Sequence, residues 1–324
     1  MIKEIIYIFF SYLIRFNFLI IRNKIKSNYL VNSFFAFGDC FAFYIQNYNL
    51  IINKGYKIIT ISNFEKKIAE LFFEKKKIYN IFFSIPSYIP IYSIGRIIKK
   101  HLTIKKKFDR SYKKKIGYEE KKILEDILRK KNKSVSAEIK KLRKKRYVLF
   151  FVKHFNENIN DIKIGPHRQT SDIKKIFEVV NFLIKKKNNI VVLGNKKEKI
   201  INILKKFSKN RNIIYFNEIS KNESIIDQLF LHYHSKFSIG TDCGAFIMSI
   251  FLKKKIVFFD SLKNNEGLQK LKNITFLHKK VIINKKKKFF LSEKLLKILS
   301  LKNTNYSIKE STFLDIKKSI NKML

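Results

Sequence analysis

The sequence predicts an α/β protein in which helices alternate with parallel strands. Three observations predict this class: short apolar runs separated by helical stretches, a strand–glycine–helix pattern at residues 236–251, and a length of 324 residues of which 46% are hydrophobic. Strands that alternate with helices form βαβ units on a parallel sheet. A chain of this length has room for two domains, each with a substantial core.

The first half of the chain contains three predicted strands. They are expected at residues 34–37, 57–61 and 79–83, with helices at 41–52 and 65–74 between them. Pro86 and Pro90 mark an irregular loop, and a charged, mostly helical stretch from 118 to 146 follows it. We therefore predict an N-terminal Rossmann-like domain over residues 1–146.

The second half repeats the plan. Strands are expected at residues 147–152, 190–193, 213–216, 237–239, 256–259 and 274–277. Helices are expected at 172–186, 197–208 and 224–232, and a closing helix at 308–324. Residues 147–324 are thus predicted to form a second Rossmann-like domain, with ligands at the carboxyl ends of its strands.

The N-terminal segment is apolar. Its longest uncharged run, Ile5 to Ile14, is too short to span a bilayer, and no small-residue cleavage site of a signal peptide follows it. Two interpretations stay open: a helix packed on the core, or an amphipathic helix lying on a membrane surface. The high aromatic and aliphatic content favours the membrane surface.

The formal net charge is +45, and 70 residues are Lys or Arg. Nine of these are Arg, so 70 − 9 = 61 are Lys, and they are spread along the whole chain. This spread indicates a coding bias, because a nucleic-acid groove would use Arg in a local patch. We expect no specific nucleic-acid partner, whereas attraction to an anionic membrane stays open.

Metal and thiol chemistry are not expected. Cys40 and Cys243 are the only cysteines, which fits small buried residues in a reducing cytoplasm. His232 and His234 have no third ligand nearby, and an Asp-x-Asp metal motif is absent. The signatures of P-loop NTPases, serine hydrolases with a G-x-S-x-G elbow and H-E-x-x-H metalloproteases are also absent from the sequence.

The most informative stretch is KFSIGTDCGAFIMSIF, residues 236–251. A strand runs into Gly240 and Gly244 and then into a helix-like segment, which leaves unpaired N–H groups at the turn. Phosphate binds at such turns, and glycine lets it approach the backbone closely. Thr241 can donate a hydroxyl, and Asp242 can cap the helix or hold a sugar hydroxyl. The alternative, a turn that needs glycine for geometry alone, stays open.

Three segments resemble the nucleotide-binding domain of GT-B glycosyltransferases. They are RQTSDIKKIFEVVNFLIKKKNNIVVLGN, DQLFLHYHSKFSIGTDCGAFIMSIFLKKKIVFFD and the ending IKESTFLDIKKSINKML. The matching residues are Arg168, Asp172, Asp227, Gly240, Thr241 and Gly244. The chain is most similar to a glycosyltransferase family from bacterial surface-polysaccharide gene clusters and, more distantly, to heptosyltransferases.

The resemblance implies a GT-B-like fold, with an acceptor domain and a nucleotide-sugar domain facing a central cleft. It implies metal-independent transfer of a sugar from a nucleoside diphosphate to a cell-surface polysaccharide or lipid-linked glycan, such as lipopolysaccharide. The nucleotide sugar is the substrate, and no cofactor is expected. Such an enzyme works in the cytoplasm or at the inner membrane face. A non-catalytic protein that binds a nucleotide sugar or a polyanion is the alternative.

The expected donor site comprises residues from three places. The loop 240–244, including Asp242 and Cys243, supplies N–H groups. Arg168 is the best cation, because Arg binds phosphate in a bidentate way; an exposed loop charge is the alternative. Lys153 is a weaker cation, and Gly194 follows a strand as a strand-to-loop turn requires. Asp172 and Asp227 are expected to cap or orient.

Two residues are candidates for the base that activates the acceptor hydroxyl. The segment AFGDCFAFYIQNYNLIINKGYKIITIS resembles the opening strand, glycine loop and helix of such enzymes, which implies a catalytic carboxylate at Asp39 after Gly38. A helix N-cap is the alternative for Asp39. His154 is the rival base, or a structural residue. Donor binding is expected to be lost on Gly240→Val.

Overall fold

The computed structural model describes most of the chain in separate stretches. These are residues 12, 16, 19–21, 23, 28–31, 37–60, 63–80, 118–152, 172–194, 199–207, 210–220, 224–241, 244–263, 268, 271–283, 287–301 and 306–324. The chain divides into two compact units, Met1–Arg110 and Ser111–Leu324. The division lies before the expected boundary at residues 146 and 147, so the helices that precede residue 146 belong to the second unit.

The first unit contains a three-stranded parallel sheet in the order β1-β2-β3. Its elements are β1 (Tyr29–Val31), α1 (Phe37–Gln46), α2 (Tyr48–Asn53), β2 (Lys57–Thr60), α3 (Asn63–Phe72) and β3 (Ile78–Asn80). Helix α1 is buried along most of its length and packs on α3, where the rings of Phe41 and Phe72 meet edge to face at 5.0 Å. The Tyr44 hydroxyl donates to the buried Glu65 carboxylate at 2.9 Å.

The strand predicted at residues 34–37 is wrong where the structure describes it. Phe37 begins α1, residues 34–36 lie outside the described residues, and the strand of this region is β1 at Tyr29–Val31. Gly38 and Asp39 therefore lie in the first turn of α1 rather than in a loop. An acidic residue in the first turn stabilises a helix through its dipole, which outweighs the strand preference of the flanking phenylalanines.

Residues 12, 16, 19–21 and 23 of the N-terminal segment are helical, and all except Ile21 are exposed. Tyr12 and Phe16 are each 63% exposed, and Leu19 and Ile20 are exposed as well. Among the residues that the structure describes, no helix is long and apolar enough to cross a membrane. Both interpretations of this segment stay open.

The described part of the second unit starts with two helices, α4 (Tyr118–Lys131) and α5 (Ala137–Leu142), and continues with strands and helices. The elements that follow are β4 (Tyr147–Phe151), α6 (Ile173–Lys185), β5 (Asn189–Val192), α7 (Lys199–Phe207), β6 (Ile213–Tyr215), α8 (Phe216–Ile219), α9 (Ile225–His234), β7 (Ser238–Thr241), α10 (Ile247–Phe251), β8 (Ile256–Ser261), β9 (Ile274–His278), β10 (Lys280–Ile283), β11 (Lys287–Phe290), α11 (Glu293–Leu301), β12 (Tyr306–Lys309) and α12 (Phe313–Met323).

The main sheet of this unit is parallel, with the strand order β6-β5-β4-β7-β8-β9. Counted from β4, this is the Rossmann order 3-2-1-4-5-6, so the α/β expectation is confirmed. A fully buried cluster that includes Val148, Phe150, Ile176 and Ile320 joins the sheet to α6, α7 and α12. The direction in which strands are added reverses between β4 and β7.

A buried carboxylate ties helix α5 to the rest of the second unit. Asp227, in the first turn of α9, accepts hydrogen bonds from the Ser136 backbone N–H at 2.9 Å and from the Ser136 hydroxyl. It also accepts from the Ser220 hydroxyl at 2.7 Å. Ser136 is the N-cap residue of α5, so this carboxylate fixes the start of α5 against α9.

A second, antiparallel sheet was not predicted. Its order is β11-β10-β12, and it packs on α11 through Val281, Leu291, Leu296 and Leu299. Ile308 belongs to β12, so the closing helix begins later than residue 308, at Phe313. A capping box between Thr312 and Asp315 sets that start, because each side chain satisfies a backbone N–H of the other residue.

Candidate functional site

The candidate site lies where the carboxyl ends of β5, β4, β7 and β8 meet along one edge of the sheet. Helices that follow β4 and β7 leave toward opposite faces at a strand-order reversal, and ligands bind in the crevice formed there. The residues just beyond β4 and β7 are 153–171 and 242–243, which lie outside the described residues. The predicted residues Lys153, His154, Arg168, Asp242 and Cys243 are among them.

Gly240 is required by the packing of β7 against β4. It pairs with Phe151 in the sheet, and a Cβ added to it would lie 1.7 Å from the Phe151 carbonyl oxygen. The same Cβ would lie 2.9 Å from the ring of Phe246. The strand itself therefore accounts for glycine at this position.

The turn after β7 does not lead into a long helix. Gly244–Phe246 form one turn of 3₁₀ helix, and α10 adds five residues. Thr241 is fully buried at the end of β7. Gly244 is exposed. An anion at this turn would therefore meet backbone amide groups and not the dipole of a long helix.

Two other predicted residues lie at the same edge of the sheet. Gly194 follows β5 with a φ of +121°, which residues with a side chain rarely adopt. Asp172 caps α6 by accepting the Lys175 N–H at 2.9 Å. By contrast, Asp227 is engaged with Ser136, and Asp39 belongs to the other unit.

Sequence reasoning missed a buried ion network at the carboxyl end of β8. Lys175 Nζ lies 2.6 Å from Asp260 Oδ2 and 2.7 Å from Glu310 Oε2, and Lys279 Nζ lies 3.2 Å from Glu310 Oε1. Asp260 also accepts the Ser311 N–H at 2.7 Å, with its own φ at +53°. The network joins α6, β8 and the link between β12 and α12.

The pKa of each group in this network depends on the charges of its neighbours. Burial by itself would lower the pKa of Lys175, but the carboxylates of Asp260 and Glu310 outweigh burial and raise it. Burial and the neighbouring Glu310 raise the pKa of Asp260, and Lys175 opposes them. Lysine runs suggest solvated surface in a sequence this rich in Lys, so only the fold distinguishes Lys175 from the exposed lysines.

From the sequence, His232 was considered only as a possible metal ligand. Among the described residues, no cluster of His, Cys, Asp and Glu could hold a metal ion. The His232 ring is fully buried, its Nδ1 lies 2.6 Å from Ser249 Oγ, and that oxygen lies 2.7 Å from Ser238 Oγ. Burial lowers the pKa of His232 to about 3, so the ring is neutral.

The buried neutral His232 predicts a loss of stability in acid. Its pKa is about 3 in the folded chain against an ordinary 6.5, so below pH 6.5 the unfolded chain takes up a proton that the folded chain does not. The free energy of unfolding should therefore fall by up to about 1.4 kcal/mol per pH unit from this residue. Urea unfolding of the wild type and of His232→Gln between about pH 7 and 4 checks this. A constant difference between the two proteins would contradict it.

Comparison with known proteins gives structural likeness only. No protein-family model matches the sequence, and no curated protein matches it significantly. The chain is similar to the glycosyl transferase family 9 from Veillonella parvula DSM 2008, with 10% identity, a TM-score of 0.38, and 86% of this chain and 78% of that one covered. It is similar to E. coli heptosyltransferase WaaC with ADP, with 10% identity, a TM-score of 0.32, and 85% and 72% covered.

A third similar structure is Methanocaldococcus jannaschii UDP-GlcNAc 2-epimerase in complex with UDP-GlcNAc and UDP, with 12% identity and a TM-score of 0.37. The likeness covers 82% of this chain and 73% of that one. Heptosyltransferases, to which the sequence shows its more distant resemblance, are thus among the similar structures.

Proposed function

We propose that this chain is a glycosyltransferase that binds a nucleoside-diphosphate sugar beyond the carboxyl ends of β4 and β7. It transfers the sugar to a cell-surface polysaccharide or a lipid-linked glycan without a metal ion. One observation supports the proposal: the two predicted segments, 153–154 and 240–244, lie at or just after the carboxyl ends of the two strands between which the sheet order reverses. That reversal is where α/β sheets of this order bind nucleotides.

The donor half of the reaction needs charge stabilisation on the departing diphosphate. As the glycosidic bond to the phosphate breaks, negative charge grows on the diphosphate, and amide N–H groups together with a cation stabilise it. The turn through Gly244 supplies amides, and Arg168 is the proposed cation because its fork matches two phosphate oxygens. Lys153 adds a point charge, and Gly194 lets the backbone after β5 approach the nucleotide.

The acceptor half needs a base beside the acceptor hydroxyl. Asp39, in the first turn of α1, lies beyond β1 in the chain and is the proposed base. His154 follows β4 and is the rival. Either would take the hydroxyl proton as the acceptor oxygen bonds to the anomeric carbon. Loss of nucleoside diphosphate release in Asp39→Asn, with donor binding kept, would select Asp39.

A screen of thermal stability against nucleotide sugars tests the donor assignment. The panel includes adenosine, uridine, guanosine and cytidine diphosphate sugars. One class of donor is expected to raise the midpoint temperature of unfolding as its concentration rises. A donor at 100 times its Kd adds about 2.7 kcal/mol to the free energy of unfolding. Release of nucleoside diphosphate with a glycan acceptor then separates an active enzyme from a binding protein.

Arg168→Gln should lose this thermal shift, and Arg211→Gln is the matched control. Arg211 lies in the exposed turn before β6, at the opposite edge of the sheet from the candidate site. An equal shift in both variants would contradict the role of Arg168. Binding that collapses with salt and is indifferent to Arg168 would favour the polyanion-binding alternative.

A further inference from the structure

The parallel sheet of the second unit gathers basic residues at the edge opposite the candidate site. All six of its strands run parallel, so their amino ends share one edge. The described residues that immediately precede each strand include at least one Lys or Arg in every case and no Asp or Glu. We call this edge the basic edge, and its basic residues are at positions 143–146, 186–187, 211, 236, 253–255 and 272.

The charge of the basic edge does not follow from the general abundance of lysine. Residues 153–172, the segment that follows β4, hold three basic and three acidic residues, and the segment after β7 adds Asp242. A coding bias alone would not keep acidic residues out of one set of links. The dipole of a preceding helix favours a cation at its carboxyl end, but it does not account for an uninterrupted run such as 143–146.

Within the described part of the chain, no carboxylate side chain neutralises the basic edge. None of its basic side chains forms an ion pair with Asp or Glu there, and most of them are exposed. Burial lowers the pKa of Lys236, and the charges of Arg146 and Lys255 lower it further. The links before β4, β7 and β8 thus hold like charges close together, and an anionic partner would relieve their repulsion.

The composition of the basic edge fits a layer of lipid phosphates better than a nucleic acid. Positions 143, 146 and 211 are Arg and the others are Lys, whereas nucleic-acid recognition favours Arg. None of these links exposes a large aromatic side chain on which an unpaired base could stack. Turns also present neither the helix nor the two-stranded ribbon that enters a major groove. A charged headgroup layer requires no such fit, because it attracts each nearby Lys or Arg about fivefold.

We propose that the basic edge binds the second unit to a membrane surface that contains anionic phospholipid. At about 4.8 Å between neighbouring strands, the six amino ends extend over about 24 Å, so several headgroups meet the edge at once. No large apolar side chain is exposed in these links, so the contact is electrostatic and does not enter the hydrocarbon. Binding at this edge leaves the carboxyl ends of the strands free, and it is independent of sugar transfer.

Sedimentation of the full chain with lipid vesicles tests the proposal. The edge variant carries four substitutions of exposed lysines in two links: Lys144→Gln, Lys145→Gln, Lys253→Gln and Lys255→Gln. The control variant removes the same charge at exposed lysines toward the opposite edge. Its substitutions are Lys130→Gln and Lys133→Gln, near the Ser136 that binds the first turn of α9, with Lys174→Gln in the first turn of α6 and Lys294→Gln in that of α11.

The edge variant should lose at least about tenfold in partitioning onto phosphatidylcholine vesicles with about 30% phosphatidylglycerol, and the control variant less than about threefold. Raising the salt from about 0.1 M to about 0.5 M should remove the difference, because it screens exposed charges. Vesicles of phosphatidylcholine alone should not distinguish the variants, which share the apolar N-terminal segment. Equal losses in the two variants would overturn the proposal. So would an edge variant that loses affinity for RNA and keeps its affinity for vesicles.

The wild type gives a second readout that does not depend on how the variants fold. Acetylation of its lysines, followed by mass spectrometry, reports which side chains the vesicles cover. Anionic vesicles should slow acetylation of Lys144, Lys145, Lys253 and Lys255 at least about threefold and leave Lys174 unchanged. Protection that is equal at Lys174 and at the basic edge, or absent from the basic edge, would contradict the assignment.

Discussion

Gly240→Ala should prevent the second unit from folding. The added methyl group would lie 1.7 Å from the Phe151 carbonyl oxygen and 2.8 Å from its carbon, both of which belong to the backbone of the central strand β4. That strand is buried along its length and paired on both sides, so it cannot move aside. We expect a loss of more than about 4 kcal/mol in the free energy of unfolding, measured as soluble yield and urea midpoint.

Gly55→Ala is the control for this substitution. Gly55 has a φ of +66° and no atom within 4 Å of an added Cβ, so alanine there meets backbone strain alone. A loss of about 1 kcal/mol is expected. Comparable losses in both variants would contradict the packing explanation for Gly240. The result also means that Gly240→Val cannot report on donor binding, since the protein would be lost before the ligand.

Lys175→Met should lower the free energy of unfolding by about 3–5 kcal/mol. It leaves the carboxylates of Asp260 and Glu310 without the ammonium group that lies within 2.7 Å of each. Asp260 is fully buried, so water cannot replace the lost partner. Urea unfolding at neutral pH measures the loss.

The neighbouring Lys174→Met is the matched control, because Lys174 is exposed on the same turn of α6. It should change stability by less than about 0.5 kcal/mol. Adding Asp260→Asn to Lys175→Met should restore part of the loss, since it removes an uncompensated buried charge. Equal effects of the two lysine variants, or no restoration, would show that the ion network does not stabilise the second unit.

The parallel core of the second unit was predictable because its strands are continuous apolar runs between amphipathic helices. Strands β4 to β9 appear within two residues of their predicted bounds. The antiparallel sheet was not predicted, because β10 to β12 are short and lie among lysines that suggest loops. Ile308 was assigned to a helix because the four residues YSIK are too few for their periodicity to distinguish a strand from a helix.

The candidate site was predictable in part. Glycines mark turns, so Gly194 and Gly240 were found, but the sequence does not tell packing from ligand binding, and Gly240 is explained by packing. Residues whose role depends on partners far away in the chain carry no signal in the local sequence. His232 meets Ser249 across 17 residues, and Lys175 meets Glu310 across 135 residues. Lysine at 175 is indistinguishable in the sequence from its exposed neighbours.

The antiparallel sheet has a consequence for the protein at high concentration. Both of its outer strands carry lysine, at positions 287 and 288 in β11 and at 309 in β12. Charged residues on an unpaired strand repel the strand of another molecule and discourage stacking into aggregates. The lysines spread along this chain would thus also discourage pairing between copies of this sheet at its outermost described strands.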